Sequence, residues 1–207
     1  SLYQNTDGDI NTAIGTRALE FNTTGSSNTA NGGWALYSNI TGDNNSSYGA
    51  NSLYYNRSAT SSTAVGSGSA EGLANYSNQG GVYVGYKSGF KAGTGSDYNT
   101  FLGYRSGYNV TTGSNNIWIG SATSSDSIAN LTTGSQNILI GNNISLPSAI
   151  ADGQLNIGNI IFGTNITGSS TTLSPGNIGV GTTTPGRLFS VHGDGLFSGT
   201  FYVANIT

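Results

Sequence analysis

The sequence Asn11-Thr12-Ala13-Ile14-Gly15 opens a repeat that returns every 17 residues, and this repeat decides the fold. Its next copies are Asn28-Thr29-Ala30-Asn31-Gly32, Asn45-Ser46-Ser47-Tyr48-Gly49 and Ser62-Thr63-Ala64-Val65-Gly66. With more variable spacing, the same frame then reaches Gly85, Gly103, Gly120, Gly141 and Gly158. A short fixed period indicates stacked copies of one small unit. We therefore expect a rod whose function lies in its surface and length.

The composition of the 207 residues supports ordered stacking and excludes several partners. The chain has 33 Gly, no Cys, only 7% charged residues and a net charge of −3 with six Lys and Arg. Because the chain has so few cationic residues, we expect it to bind neither nucleic acid nor an anionic membrane surface. No apolar run is long enough to span a bilayer, so we expect no direct membrane insertion, and we expect no cofactor. The chain begins within a repeat and ends within a predicted strand, so we expect a piece of a longer protein.

Each repeat predicts a short strand before its glycine and a second strand after it. Residues three and one before the glycine share one face of the first strand, and the residue between them faces the other way. The second strand is expected around 18–19, 35–37 and 52–54, followed by a turn of the type Asn-Thr-Thr-Gly. Stacked rungs also place one Asn per rung in a column whose amides can bond to each other, at Asn11, Asn28, Asn45, Asn99, Asn116 and Asn137.

An apolar column runs along the strands and predicts a partner. A thin single roll buries too little apolar area to offset the cost of ordering its backbone. Three chains around an axis would bury the column, so we infer a homotrimer. The residues expected in this trimer and stacking core are Ile14, Val65, Val84, Leu102, Ile119 and Ile140.

The repeat resembles a known family. The pattern Asn-Thr-Ala-x-Gly-x-x-Ala-Leu-x-x-Asn-Thr-Thr-Gly, seen at 11–25 and with one change at 28–42, is similar to the head repeats of trimeric autotransporter adhesins. Similar repeats occur in bacteriophage tail fibres. The resemblance implies an all-β, left-handed parallel β-roll or β-solenoid of about 17-residue rungs, trimeric, with receptor contacts on its outer surface. Residues 177–188 resemble the motif where such a head gives way to a shaft.

These observations divide the chain and indicate its function. We expect a repeat head at 1–163, a connector at 164–176 and a β-rich neck or shaft from 177 to 207. The function expected is a non-enzymatic, extracellular adhesive fibre segment on a cell surface or virion tail, which attaches to a host glycan or protein receptor. A purely structural filament subunit acting as a rigid spacer is the alternative, and bacterial and phage origins both stay open. The candidate receptor contacts are outward tyrosines, Tyr37, Tyr54, Tyr55, Tyr86, Tyr104 and Tyr108.

Other candidate sites have simpler structural interpretations, and we predict no catalytic residue and no metal site. The single His192 has no nucleophile motif near it, so we expect a turn. Asp7, Asp9 and Asn11 resemble the start of a calcium loop without its glutamate, and Gly8 is the turn glycine of the repeat.

The large aromatic residues and the glycosylation sequons also lie in the frame of the repeat. Tyr83, Phe101 and Trp118 could form a sugar-stacking platform, but packing is favoured because they occupy equal positions of successive rungs. Asn-x-Ser/Thr sequons are favoured as turn chemistry over glycosylation, since the repeat turn itself has this sequence. They occur at Asn22, Asn39, Asn56, Asn75, Asn109, Asn130 and Asn165 among others.

Overall fold

The computed structural model describes residues 1–123, 131–168 and 172–193, and these form an all-β solenoid without helix. Twelve short strands follow one another in a single sheet in chain order. They are β1 (Thr12–Ile14), β2 (Thr29–Asn31), β3 (Ser46–Tyr48), β4 (Thr63–Val65), β5 (Val82–Val84), β6 (Thr100–Leu102), β7 (Ile117–Ile119), β8 (Ile138–Ile140), β9 (Leu155–Ile157), β10 (Ile161–Thr164), β11 (Asn177–Val180) and β12 (Phe189–Val191).

The predicted stacking of equal positions is confirmed from β1 to β9. Each strand pairs in parallel with the next one, so that Thr12 lies opposite Thr29 and Trp118 lies opposite Leu139. The longer rungs keep the same register, because their extra residues lie in the connections between strands. The parallel β-solenoid with rungs of about 17 residues is therefore the observed fold.

The direction of the chain changes after β9. Strand β10 is antiparallel to both β9 and β11, and β11 is parallel to β12. The parallel stack thus ends at Ile157, and the predicted head boundary at 163 falls within β10. The predicted connector includes residues outside the described part of the chain, and so does the predicted neck after residue 193.

The prediction of a second strand after the repeat glycine is wrong for the rungs of β1 to β6. Residues 16–21, and the residues that follow Gly32, Gly49, Gly66, Gly85 and Gly103, form turns. Arg17 and Leu19 have φ angles of 58° and 51°, in the left-handed region that no β-strand contains. The backbone still bonds from rung to rung, since Leu19 N donates to Ala35 O at 3.1 Å and Phe21 N donates to Tyr37 O at 3.2 Å.

The repeat glycine is required by both its backbone angle and its neighbour. Gly32 has a φ of +148°, and a Cβ atom placed on it would lie 2.5 Å from the carbonyl carbon of Gly49 in the next rung. Gly15 and Gly66 show the same arrangement with φ angles of +121° and +127°. Any side chain at this corner would push successive rungs apart.

Two positions supply core residues in several rungs. They are the centre of the strand and the fourth residue after the repeat glycine. In early rungs a small residue at the strand centre, such as Ala30, is buried beside a leucine four residues after the glycine, such as Leu36. In the rungs of β5 and β6 the strand centre is large and the second position is glycine, as in Phe101 and Gly107. A Cβ atom on Gly107 would collide with the Phe101 ring. In these two rungs a large strand-centre ring therefore occupies the space that a leucine fills in the early rungs.

The packing interpretation of the large strand-centre aromatics is confirmed. Tyr83, Phe101 and Trp118 are 0–1% exposed and lie inside the roll. The Tyr83 and Phe101 rings meet edge to face with centroids 5.8 Å apart. Burial raises the pKa of the Tyr83 hydroxyl well above its usual value, although hydrogen bonds with Ser96, Asn99 and Asn78 oppose the shift.

The asparagine column forms hydrogen bonds from rung to rung. Asn45 Nδ2 donates to Asn28 Oδ1 at 2.9 Å, and Asn28 N donates to Asn11 Oδ1 at 2.9 Å. Later in the column, Asn116 Nδ2 donates to Asn99 Oδ1 and Asn137 Nδ2 donates to Asn116 Oδ1, both at 3.1 Å. Ser62 and Gly81 occupy the intervening positions of the column. Buried amides are thereby satisfied without water.

The strand face that points outward carries an apolar column whose residues stay exposed in the described part of the single chain. Ile14, Leu102, Ile119 and Ile140 are 57%, 45%, 40% and 39% exposed. Val65 is also exposed, while Val84 is half-buried. Outward residues are mostly polar in β2 and mostly aliphatic from β5 to β8. The apolar column therefore lies on the outside of the roll, and its exposed area grows more hydrophobic along the chain.

Candidate functional site: the outer aromatic clusters

The six candidate tyrosines lie on the surface formed by the turns that follow each repeat glycine. They fall into two groups with other aromatic residues. The first aromatic cluster consists of Phe21, Tyr37, Tyr54 and Tyr55. The second aromatic cluster consists of Tyr86, Phe90, Tyr104 and Tyr108.

The first aromatic cluster is a continuous row of rings across three rungs. Tyr37 and Tyr54 stack with centroids 4.8 Å apart, because they hold equal positions in neighbouring rungs. Phe21 and Tyr55 meet this pair edge to face at 4.9 and 4.5 Å. All three tyrosines are half-buried. Desolvation, and after it the neighbouring Tyr37 and Tyr55, raise the pKa of the Tyr54 hydroxyl.

A shallow groove beside this cluster combines aromatic rings with a carboxylate. It has a volume of about 290 Å³ and is lined by Trp34, Asn51, Tyr54, Tyr55 and Glu71. Glu71 is half-buried, and desolvation raises the pKa of its carboxyl, while Lys87 lowers it. This groove offers ring faces, an amide and a carboxylate to a polar ligand.

The second aromatic cluster is built from two rungs with matching residues. Tyr86 stacks on Tyr104 at 5.4 Å, and Phe90 stacks on Tyr108 at 5.0 Å. Tyr86 and Tyr104 are each 44% exposed. The two pairs occupy the first and fifth positions after Gly85 and Gly103, so the solenoid itself sets their spacing.

Three cations lie against the rings of the second aromatic cluster. Lys87 Nζ is 4.6 Å from the Phe90 centroid, and Arg105 Cζ is 4.7 Å from the Tyr108 centroid. Lys91 Nζ is 5.5 Å from the same Tyr108 ring. These are cation–π distances, and they hold the cations close to the surface.

The remaining sequence candidates do not assemble into a site. His192 is exposed, and its backbone N donates to Val180 O at 2.9 Å. Asp7 and Asp9 are exposed next to the turn residue Gly8. Among the described residues, no group of three or more His, Cys, Asp or Glu could hold a metal ion. None of the described residues form a helix with the length and hydrophobicity needed to cross a bilayer.

The sequons divide into buried and exposed sites. Asn22, Asn39 and Asn56 are fully buried. Asn39 Nδ2 donates to Asn22 Oδ1 at 2.7 Å and Asn56 Nδ2 donates to Asn78 Oδ1 at 2.6 Å, in a second ladder inside the roll. These amides are inaccessible in the folded chain, so their sequons are structural. Among the others, Asn75 and Asn165 are exposed, Asn109 is half-buried, and Asn130 lies outside the described residues.

Sequence reasoning missed several residues of these clusters. Trp34 is 41% exposed and Phe90 stacks in the second cluster, yet neither was a candidate. The cations were also overlooked, although Lys87, Lys91 and Arg105 are half of the six Lys and Arg in the chain. These cations are grouped in two neighbouring rungs beside tyrosines at equal positions, and this sequence pattern could have indicated the cluster.

Comparisons of the chain with protein-family models, with curated proteins and with solved structures find no match. A functional assignment therefore depends on the residues and geometry described above.

Proposed function

We propose that this chain is a non-enzymatic segment of an extracellular adhesive fibre, carried on a cell surface or a virion tail. It attaches to host cells or surfaces through a glycan or protein receptor. The repeat is similar to the head repeats of trimeric autotransporter adhesins, and this favours a left-handed, homotrimeric roll. The mechanism is geometric, because a stiff rod presents many weak contacts whose avidity adds up.

The observation that carries this proposal is the alignment of half-buried and exposed rings along the outer surface of the rod. Inside the roll, aromatic residues are fully buried and serve packing. The rings of Tyr37, Tyr54, Tyr86 and Tyr104 are stacked on the outside instead, where packing of the core does not need them. Tyrosine supplies a large contact area and a hydroxyl at low entropic cost, which suits recognition.

The exposed strand face supports the proposed trimer. Val82 in β5 and Ile117 and Ile119 in β7 are 38–40% exposed and lie on the outward face of the sheet. An aliphatic face of this kind is characteristic of obligate interfaces between copies of one chain. Because the apolar residues concentrate from β5 to β8, we place the tightest trimer contact there. The receptor-binding tyrosines lie on the turns after the glycine, which leaves them outside this interface.

Binding of the intact chain to a glycan array and to cultured cells tests the proposal. We expect selective binding that falls at least tenfold, about 1.4 kcal/mol, in the double variant Tyr37→Thr/Tyr54→Thr. Tyr3→Thr is the matched control, since Tyr3 is 83% exposed at the equivalent position of the first rung and stacks on no ring among the described residues. Circular dichroism checks that each variant keeps its fold.

The same experiment separates attachment from the spacer function. A rigid spacer predicts no selectivity for any glycan or cell, and equal weak binding by all variants. That result would favour the structural filament subunit over the adhesin.

A further inference from the structure

We propose that the second aromatic cluster, together with Lys87, Lys91 and Arg105, is a binding site for anionic polysaccharides that carry carboxylate or sulfate groups. This inference rests on the proposed attachment function and assigns a ligand class to one part of its surface. The ligand is a repeating polymer whose charged groups meet cations on successive rungs.

The three cations are held in place by the rings and form no salt bridge among the described residues. The Arg17–Glu20 pair at 3.3 Å is the one salt bridge among the described residues, so Lys87, Lys91 and Arg105 have no carboxylate partner within 4 Å there. Glu71 is the acid that faces Lys87. Aromatic rings orient a cation through their quadrupole without cancelling its charge. The cluster is therefore a local positive patch on a chain whose net charge is −3.

The geometry of the rings favours anionic groups over the flat face of a neutral sugar. The two ring pairs stack at interplanar angles of 21° and 11°, so neighbouring rings cover each other's faces. Lys87 and Arg105 lie over the rings as well. Ring edges, tyrosine hydroxyls and cations are what remain for a ligand. Hydroxyls and cations bind carboxylate and sulfate oxygens through charge-assisted hydrogen bonds.

The side chain of Arg105 is held in place by two neighbouring rings. Its Nε atom is buried and has no hydrogen-bond partner among the described residues. The guanidinium carbon Cζ lies 5.9 Å from the Tyr104 ring centroid and 4.7 Å from the Tyr108 ring centroid. A guanidinium group that is already oriented loses little conformational entropy when it forms bidentate hydrogen bonds with an anion.

The repetition of the site fits a polymer. Tyr86, Lys87 and Phe90 hold the same positions in their rung as Tyr104, Arg105 and Tyr108 hold in the next rung. Neighbouring rungs are spaced by about 4.8 Å. Two equal half-sites, multiplied by the copies in an oligomer, convert weak single contacts into avidity.

The test measures binding of the full chain to four immobilised polymers. The probes are dextran sulfate, polygalacturonate, neutral dextran and double-stranded DNA, each at about 50 mM and 300 mM NaCl. We expect at least tenfold tighter binding to one or both anionic polysaccharides than to neutral dextran, and weaker binding at the higher salt concentration. The two anionic probes distinguish sulfate from carboxylate as the preferred group.

Matched charge variants locate the site. Lys87→Gln/Arg105→Gln should lose at least tenfold in affinity for the preferred polysaccharide, whereas Arg17→Gln/Arg57→Gln removes the same charge elsewhere and should stay within twofold of wild type. Lys87→Arg/Arg105→Lys keeps both charges and should retain most of the binding. An unchanged Tm in each variant shows that the fold is intact.

Several outcomes would overturn the inference. Equal binding to neutral dextran, equal losses in both Gln variants, or DNA binding as tight as polysaccharide binding each contradict an anionic glycan site at this cluster. If the chain binds cells through Tyr37 and Tyr54 but ignores both anionic probes, this inference fails and the attachment function stands. If it binds no glycan and no cell at all, both fail.

Discussion

At the scale of single residues, backbone angles decide which positions of the rung tolerate side chains. Leu19 and Trp34 have φ angles of 51° and 59° although neither is glycine. A left-handed conformation costs such residues about 1–2 kcal/mol each, and rung stacking must offset that cost. The repeat glycine differs, because its φ of +121° to +148° at Gly15 and Gly32 lies beyond the left-handed helical region and a Cβ atom there would collide with the backbone of the next rung.

A pair of adjacent glycines tests this distinction. We expect Gly32→Ala to lower the free energy of unfolding by about 3 kcal/mol or more, since its Cβ would collide with Gly49 and its φ is +148°. Gly33→Ala should change it by less than about 0.5 kcal/mol, because the nearest atom to its Cβ is Thr16 O at 4.0 Å. Urea denaturation of both variants measures the difference, and similar losses would contradict a special role for Gly32.

Buried tyrosine makes stability depend on alkaline pH. Burial raises the pKa of the Tyr83 hydroxyl above its value in the unfolded chain, about 10. The folded state then holds its proton more tightly, so stability is fully present below pH 10 and falls as pH rises beyond it.

The variant Tyr83→Phe isolates this contribution. It loses the hydrogen bond that Asn78 Nδ2 donates to the Tyr83 hydroxyl at 2.8 Å, so we expect a loss of about 1 kcal/mol at pH 7. Above pH 10 its stability should decline less steeply than that of wild type, as measured by urea midpoints between pH 7 and 11. Tyr3→Phe serves as the exposed control, and an unchanged slope in Tyr83→Phe would refute the assignment.

At the scale of elements, the rungs of β2 and β6 place a large and a small core residue in opposite order at the strand centre and in the following turn. Phe101 faces Gly107 in β6 and its following turn, whereas Ala30 faces Leu36 in β2 and its turn. The sequence predicted the strands and their register from the period alone. It could not predict this exchange, because the turn segment was assigned as a strand and its inward positions were therefore unknown.

A double-mutant cycle measures the exchange. Phe101→Ala should destabilise the rung by about 3–5 kcal/mol through the cavity it leaves, and Gly107→Leu should also be destabilising because its side chain meets the Phe101 ring. The double variant Phe101→Ala/Gly107→Leu recreates the pairing of Ala30 with Leu36. We expect it to be at least about 1 kcal/mol more stable than the sum of the single changes predicts. Strict additivity in thermal unfolding would contradict size compensation.

At the scale of the whole molecule, the roll has an apolar exterior that one chain does not cover. The core of each rung is thin. The outward side chains of β7 and β8 are isoleucines, and Ile117, Ile119 and Ile140 among them are 38–40% exposed. The exposed tyrosines lie on a different part of the rung. The proposed fibre would therefore use one surface for assembly and another for attachment.

The proposed trimer predicts the response to a charge on the strand face. We expect wild type to have three times the mass of one chain by light scattering, and Ile119→Glu to shift it toward the monomer because a buried carboxylate in the interface is costly. Thr112→Glu is the control in the same rung, since Thr112 is exposed on the turn side. A folded monomer in wild type would contradict the trimer, and equal dissociation by both variants would contradict its placement.

The sequence by itself determined the period, the parallel stacking and the columns of equal residues, because one short strand per repeat can satisfy its backbone hydrogen bonds by pairing with the same strand of the next repeat. It also identified Asn28 and Asn116 as parts of a ladder. Only the tertiary structure decided the conformation of the turns, since the left-handed angles of Leu19, Trp34 and Lys87 have no signature in composition. Those turns bring the cations onto the outer rings, because the path of the chain between strands sets which side chains face outward.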